Sequence, residues 1–306
     1  MEHHDVVIIG GGPAGLTLAC ELRERGRKDV VVLEREAQAG GIPRHCGHGG
    51  FGLYNSWRTH KGPTFAKLLR EPAREIDLRT ATTVLNFTMS GNLRLHSAKG
   101  IQEMSAGTLV LATGTREASR AARLIGGNKL PGVMNTGELQ QRVYLNHEKP
   151  FSRPVIIGSE WVSFSSLLTC RHAGMRVQAM ITEEASLDAP GIFGLGARLV
   201  FGAPVLRKAK LRAILGHKKV EAVEVEQGGT TKQIACDGVI ISGKFRSESA
   251  LYADGFIERE GWAPKVTEQF KTSRPNVLAV GNVLGHLERA GTCMLQAREL
   301  AKVMTA

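Results

Sequence analysis

Short apolar runs, glycine turns and stretches of helical period follow one another along this chain. Val6 to Ile9 is a continuous β-branched run, which predicts a buried strand. Leu16 to Arg25 carries Leu16, Leu18, Ala19 and Leu22 and predicts a helix. A second β-branched run, Val30 to Leu33, ends on Glu34. The pattern returns in the middle of the chain. Arg153 to Gly158 predicts a strand running into glycine, Trp161 to Ala173 a helix capped by Gly174, and Val177 to Ile181 a further strand. Between the two units, Thr108 to Glu117 is an apolar strand ending in Ala112-Thr113-Gly114. Asp237 to Phe245 and Asn276 to Asn282 are two more strands that run into glycine, and Ala290 to Val303 predicts a closing helix. Strands alternating with helices predict an α/β fold with parallel sheets.

The first turn has further content. Gly10, Gly12 and Gly15 stand at G-x-G-x-x-G spacing, and Glu34 follows nineteen residues past Gly15. Strand, glycine turn, helix, second strand and acid together form a dinucleotide-binding fingerprint. Gly10 permits the tight turn, Gly12 lets backbone approach a diphosphate, and Gly15 lets the helix pack close to its strand. The helix N-terminus offers partial positive charge to phosphate, and Glu34 offers acceptors to a ribose hydroxyl pair.

Composition narrows the setting. The chain has 306 residues, 42 % of them hydrophobic, enough for one or two full cores. No apolar run approaches the ~20 residues of a membrane helix. The fingerprint begins almost at Met1, which predicts no signal peptide. Cys20, Cys46, Cys170, Cys236 and Cys293 are scattered without a CxxC. They suggest neither a disulfide framework nor a metal site, and a reducing cytoplasm is the expected setting. The net charge of +11 raises nucleic acid as a partner, but no nucleic-acid-binding motif accompanies it. The densest basic stretch, Arg207 to Lys219, alternates with Leu211, Ile214 and Val220 and reads as a strand and hairpin with one solvated face, or as a surface for an acidic partner or a membrane.

The order of these units resembles the two-dinucleotide-domain flavoproteins that include thioredoxin reductase and the disulfide reductases. The resemblance implies two Rossmann-like dinucleotide-binding domains. A discontinuous FAD domain would span residues 1–118 and 243–306, and a NAD(P)-binding-like middle domain residues 119–242. It implies non-covalent FAD, held by Gly10, Gly12, Pro13, Ala14, Gly15, Glu34, Arg35, Gly41, Ile42, Ala112, Thr113, Gly114, Gly281 and Asn282. The family more often has Asp at the place of Asn282. The C-terminal dimerisation domain of the glutathione-reductase relatives is expected to be absent.

The loop after the ribose acid departs from that family. Disulfide reductases carry GGTCxxxxC there; this chain reads Gly40-Gly41-Ile42-Pro43-Arg44-His45-Cys46-Gly47-His48, with Pro43 and His48 at the cysteine positions. One thiol cannot form an intramolecular disulfide. The longer string GGIPRHCGHGGFGL (40–53) resembles instead the pyridine-nucleotide-reductase-like subunit of heteromeric FAD dehydrogenases and oxidases. These include opine oxidase, hydrogen cyanide synthase, dye-linked proline and hydroxyproline dehydrogenases and a glycerol-3-phosphate dehydrogenase-like group. ATGTREASRAAR (112–123), TGELQQRVY (136–144), SFSSLLTCRHAG (163–174) and GNVLGHLERAGTC (281–293) match the same group. That resemblance implies a partner flavoprotein of the amino-acid-oxidase type, which takes electrons from an amino acid, imino acid, opine or polyol phosphate. It also implies that a [2Fe-2S] centre comes only from a partner protein, and that membrane association comes only through partners. Arg44, His45, Cys46 and His48 are the candidates beside the flavin; the histidines equally suit bracing a glycine-rich loop. Arg116 and Glu117 suit an interdomain salt bridge or a phosphate contact, and Trp161 a core position.

The second turn is impaired. Glu160 stands where Gly12 stands in the first, Ser163 replaces the packing glycine, and Thr182 falls where the acid is due. A side chain and a negative charge at that turn oppose a diphosphate, so the middle domain is expected to have lost productive nicotinamide binding. Holding an adenine nucleotide structurally and serving as a docking surface both remain open. Two other functions stay beside the leading one: a self-sufficient NADH-dependent flavin reductase and a non-catalytic FAD-binding scaffold.

Overall fold

A computed structural model describes residues 1–52, 58–186, 202–252 and 255–306. The chain forms two compact units: Met1–Arg44, Gly49–Arg116 and Arg246–Ala306 build the first, and His45–His48 with Glu117–Phe245 the second. Elements are numbered along the chain.

The first unit begins with β1 (Glu2–Ile9), α1 (Pro13–Glu24) and β2 (Val30–Leu33). α2 (Gly62–Arg70), β3 (Asp77–Arg79), β4 (Thr83–Phe87), β5 (Asn92–Ser97) and β6 (Gly100–Leu111) follow. The short strands β7 (Thr115–Glu117) and β16 (Phe245–Ser247) carry the chain out of this unit and back. The hairpin strands β17 (Arg259–Glu260) and β18 (Ala263–Pro264), then β19 (Val277–Ala279) and α5 (Ala290–Thr305), complete it. Sheet order is β3-β2-β1-β6-β5-β4, with β19 also on β6. β1, β2, β3, β6 and β19 are mutually parallel, so their carboxyl ends share one edge.

Both faces of the central strands are covered, which is why they read as unbroken apolar runs. Alternate residues go to opposite cores. Val6, Ile8, Val30 and Val32 pack with Leu16, Leu18 and Leu22 of α1 and with Ala297 and Leu300 of α5. Val7, Ile9, Val31 and Leu33 pack on the other face with Leu109, Leu111 and Tyr252.

The second unit holds β8 (Val133–Asn135), α3 (Thr136–Tyr144), β9 (Pro154–Ile157), α4 (Trp161–His172), β10 (Met180–Ile181), β11 (Val205–Leu206) and β15 (Gly238–Ile241). These strands form a parallel sheet in the order β11-β10-β9-β15-β8. β12 (Ala209–Leu215), β13 (Ala222–Gln227) and β14 (Thr230–Ala235) form an antiparallel sheet beside it. Lys210 and Arg212 of β12 are exposed while Leu211 and Ile214 are buried. The basic stretch is therefore a solvated strand face, as its alternation suggests. The strand expected over Val177–Ile181 narrows to β10, because the backbone before it meets β9 through single bonds such as Gln178 N–H to the Pro154 carbonyl at 2.8 Å.

Trp161 does not take the expected core position. It is 54 % exposed, because α4 turns Ser163, Phe164, Ser166, Leu167 and Cys170 inward. Leu168, seven residues on, shares its outward side at 44 % exposure. Among the described residues no helix is long and apolar enough to cross a membrane.

Candidate cofactor site

In the first unit the chain order reverses between β1 and β6, and in such sheets ligands sit outside the carboxyl ends of the strands at that point. The turn after β1 and the turn after β6 meet there. Gly10 has φ of +113°, and a Cβ on it would strike the Ala112 carbonyl and come within 3.3 Å of Thr113 N. Gly15 is packed as tightly: its Cβ would run into the Gly10 carbonyl and Ile8.

Gly12 behaves differently. It is the N-cap of α1, with extended backbone and no side-chain cap. A Cβ there would meet only the Gly41 Cα, at 3.9 Å. Pro13 takes the first helical position, where it has no N–H to satisfy. The N–H groups of Ala14 and Gly15 follow it, and the first turn has no acidic residue. This is an open, uncapped helix start of the kind that receives phosphate.

Glu34 lies just beyond β2 and is 7 % exposed. Its Oε2 accepts from Gly11 N–H and its Oε1 from Glu36 N–H, both at 2.8 Å. Each carboxylate oxygen retains a lone pair for a ribose hydroxyl. Gly11 is the residue the fingerprint alone misses. A Cβ on it would lie 2.9 Å from that of Ala39 and 3.1 Å from Oε2 of Glu34, and only the unbroken run Gly10-Gly11-Gly12 signals this. Gly40 N–H donates to the Gly11 carbonyl at 2.7 Å, which brings Gly41 against Gly12 and Pro13. Ile42 follows at 54 % exposure.

Gly281 follows β19 and presses on Ala14, 2.8 Å from where its Cβ would be. The Asn282 side chain braces its own loop. Its Oδ1 accepts from Glu288 N–H at 2.8 Å and its Nδ2 donates to the Glu288 carbonyl at 3.2 Å. Cys293 Sγ also donates to Oδ1, at 3.3 Å. Glu248, absent from the sequence expectations, ties the edge together. Its main-chain N–H donates to the Gly114 carbonyl at 2.9 Å and its carbonyl accepts from Thr113 Oγ1 at 3.2 Å. Its carboxylate reaches Arg35 at 3.5 Å and Arg116 at 3.8 Å.

The expected diphosphate and ribose contacts thus converge on one sheet edge. An open glycine, free N–H groups and an acid with spare acceptors suit the diphosphate and ribose of FAD.

The four residues expected beside the flavin do not travel together. Arg44 stays in the first unit, its guanidinium 3.6 Å from Glu36. His45, Cys46 and His48 belong to the second. Cys46 is buried, its Sγ 3.4 Å from Gln140 Oε1, and burial pushes its thiol up to about 12. Burial thus disfavours the thiolate, the form in which a cysteine acts as nucleophile. A Cβ on Gly47 would overlap the Tyr144 ring, so this segment seats tightly on α3. Glu117 accepts from Gly137 and Gly243 N–H, each at 2.9 Å, and burial raises its pKa. It makes main-chain bonds within its own unit in place of the expected salt bridge.

The chain is similar to several known proteins. The chain is 28 % identical over 267 residues to sarcosine oxidase subunit alpha of Rhizobium meliloti, covering 79 % of this chain and 24 % of that protein. It is 28 % identical to hydrogen cyanide synthase subunit HcnB of Pseudomonas aeruginosa, covering 76 % of this chain and 49 % of that one. It therefore spans about a quarter and about half of these two curated relatives. Ferredoxin–NADP reductase of Limosilactobacillus fermentum is 25 % identical over 92 % of this chain and 86 % of its own length. In fold, thioredoxin reductase of T. acidophilum superposes with a TM-score of 0.82 at 20 % identity, over 100 % of this chain and 98 % of that one. The family described as pyridine nucleotide-disulphide oxidoreductase matches residues 4–297. The chain belongs to the pyridine nucleotide-disulphide oxidoreductase family.

Proposed function

We propose that this chain is the FAD-binding subunit of a heteromeric dehydrogenase or oxidase, handling electrons that a partner flavoprotein of the amino-acid-oxidase type takes from its substrate. The substrate class is an amino acid, imino acid, opine or polyol phosphate. One observation carries the reading. The first unit has an open dinucleotide cradle, yet the stretch that follows Gly41 in sequence has Pro43 and His48 where a redox cysteine pair would stand, and its one thiol, Cys46, is buried. Bound FAD would supply two-electron chemistry. The chain's residues hold and orient it: Gly12 and the start of α1 receive the diphosphate, Glu34 the ribose, and Gly10, Ala112 and Gly114 shape the crevice. No dithiol follows in this chain, so the second redox group belongs to another protein. A [2Fe-2S] centre, where the complex has one, sits on a partner too, and the complex works in the cytoplasm.

A second reading, a self-sufficient NAD(P)H-dependent flavin reductase, draws on the near full-length likeness to ferredoxin–NADP reductase. One experiment separates them. The isolated chain should carry FAD and show no dye-linked oxidation of sarcosine, proline, opines or glycerol 3-phosphate. Co-expressed with the proteins encoded beside it, it should co-purify in fixed stoichiometry and turn one of them over. Robust turnover by the isolated chain, or flavin reduction by NADH at about 10 per second, a typical enzyme rate, would sink the subunit reading.

A further inference from the structure

The second unit repeats the crevice of the first and fills it. Its chain order reverses between β9 and β15, so the crevice lies between Gly158-Ser159-Glu160 and Ser242-Gly243-Lys244. The N-caps correspond: Gly12 caps α1 and Glu160 caps α4, both with extended backbone and no side-chain cap bond. At Gly12 a Cβ would meet nothing nearer than the Gly41 Cα, at 3.9 Å. At Glu160 the side chain crosses the crevice. Its Oε1 accepts from Lys244 N–H at 2.8 Å. Its carboxylate lies on Gly243, whose φ is +81°, so closely that a Cβ there would sit 2.6 Å from Oε2.

The surroundings are fitted to that carboxylate. Arg123 donates to the Ser242 carbonyl at 2.8 Å and lies within the fields of Glu160, Glu117 and Glu183. Ser163 Oγ takes up the space beside Gly158, 2.7 Å from where a Cβ would be, and donates to Ser242 Oγ at 3.0 Å. Thr182, at the place of a ribose-binding acid, is 5 % exposed and bonded to Ser159 Oγ at 3.0 Å.

We propose that the Glu160 carboxylate is a built-in occupant of this crevice, an anion tethered where a dinucleotide's diphosphate would lie, and that it excludes NAD(P)H from the second unit. The Lys244 N–H that would meet a phosphate oxygen already has an anionic acceptor. A tethered group competes at a high effective concentration, which short linkers raise to the millimolar range or above. A diphosphate entering beside it would also meet like charge. The inference concerns the second unit alone; fast reduction by NADH would sink it together with the subunit reading, whereas the Glu160 variants test it alone and substrate turnover by the isolated chain tests the subunit reading alone.

The test uses the FAD-loaded chain with NADH and NADPH as probes, measured by equilibrium dialysis and by flavin bleaching under anaerobic conditions. Wild type should bind neither below about 1 mM. Glu160→Gly should gain at least tenfold in affinity for one of them, and Glu160→Gln, which keeps the shape and loses the charge, a smaller gain. Unchanged FAD content and circular dichroism verify folding, and Glu160→Gln carries the test should Glu160→Gly not fold. Micromolar binding by wild type overturns the proposal, as does the absence of any gain in the folded variants.

Discussion

Gly12 and Gly15 lie three residues apart and should answer oppositely to a side chain. A Cβ at Gly12 enters open space, so Gly12→Val should fold with the apoprotein's melting temperature intact. It should lose FAD, by at least tenfold in affinity, about 1.4 kcal/mol. A Cβ at Gly15 runs into the Gly10 carbonyl, so Gly15→Ala should destabilise the apoprotein itself, by roughly 2–4 kcal/mol. Urea melts of the apoproteins with FAD titrations separate the two; equal loss of stability in both variants would refute the assignment of Gly12 to the cofactor. Both glycines were legible in the sequence because their spacing encodes backbone approach. Gly11 and Glu248 were not. Gly11 matters through one N–H to Glu34, and Glu248 through contacts with Arg35, Gly114 and Arg116 that are remote in sequence. The bonds by which Asn282 braces Glu288 were not legible either, because a loop has no period to announce them.

Among the elements, β1 shows what an apolar pattern cannot see. The sequence predicts a strand from Val6; the strand begins at Glu2. Its first half is polar because it carries an ion cluster. His4 Nδ1 meets Asp29 at 2.6 Å and its Nε2 meets Glu2 at 3.0 Å, while Arg79 holds Glu2 and Asp77. Burial opposes protonation of His4, but the bonds to Asp29 and Glu2 outweigh it and raise its pKa above 6.5. The Arg79 hydrogen bond lowers Glu2 from 4.5 to about 2, and the His4 bond lowers Asp29 from 3.8. The signs set a window. The His4 contribution is full below pH 6.5 and lost as pH rises through its raised value. The carboxylate contributions are present above 4.5 and 3.8 and lost as pH falls. The stability deficit of His4→Gln should therefore be largest between about pH 5 and 6.5 and shrink by pH 9, staying near or below about 1 kcal/mol because Glu2 is half exposed. Urea midpoints at pH 6 and pH 9 check it; a deficit that grows with pH would contradict the raised His4 pKa. α4 shows the converse limit. Its inner face bears Ser163, Ser165, Ser166 and Thr169, bonded to partners such as Gln140 and Thr136, while Trp161, expected in the core, lies on the exposed side.

At the scale of the whole molecule, each unit has its own cores, and the cofactor cradle belongs to the first. Calorimetry should resolve two transitions, with FAD raising one of them. The gain is about 2.7 kcal/mol at a hundredfold excess over the dissociation constant. Equal shifts of both would contradict a cradle confined to one unit. The two-unit pattern was legible because each repeats strand, glycine turn, helix and strand. The membership of His45–His48 was not, since it rests on Gly47 against Tyr144, and a loop has no period to betray a contact so distant in sequence. The discontinuity of the first unit also dictates an order of events on the ribosome. β19 and α5, which place Gly281 on Ala14 and bury α1, are translated after the whole second unit. At about 5–20 residues per second, Arg246–Ala306 needs several seconds more to emerge. During that interval the glycine turn and α1 are made but stay uncovered, and the nascent chain must wait, open to chaperones and proteases, before it can take up its flavin.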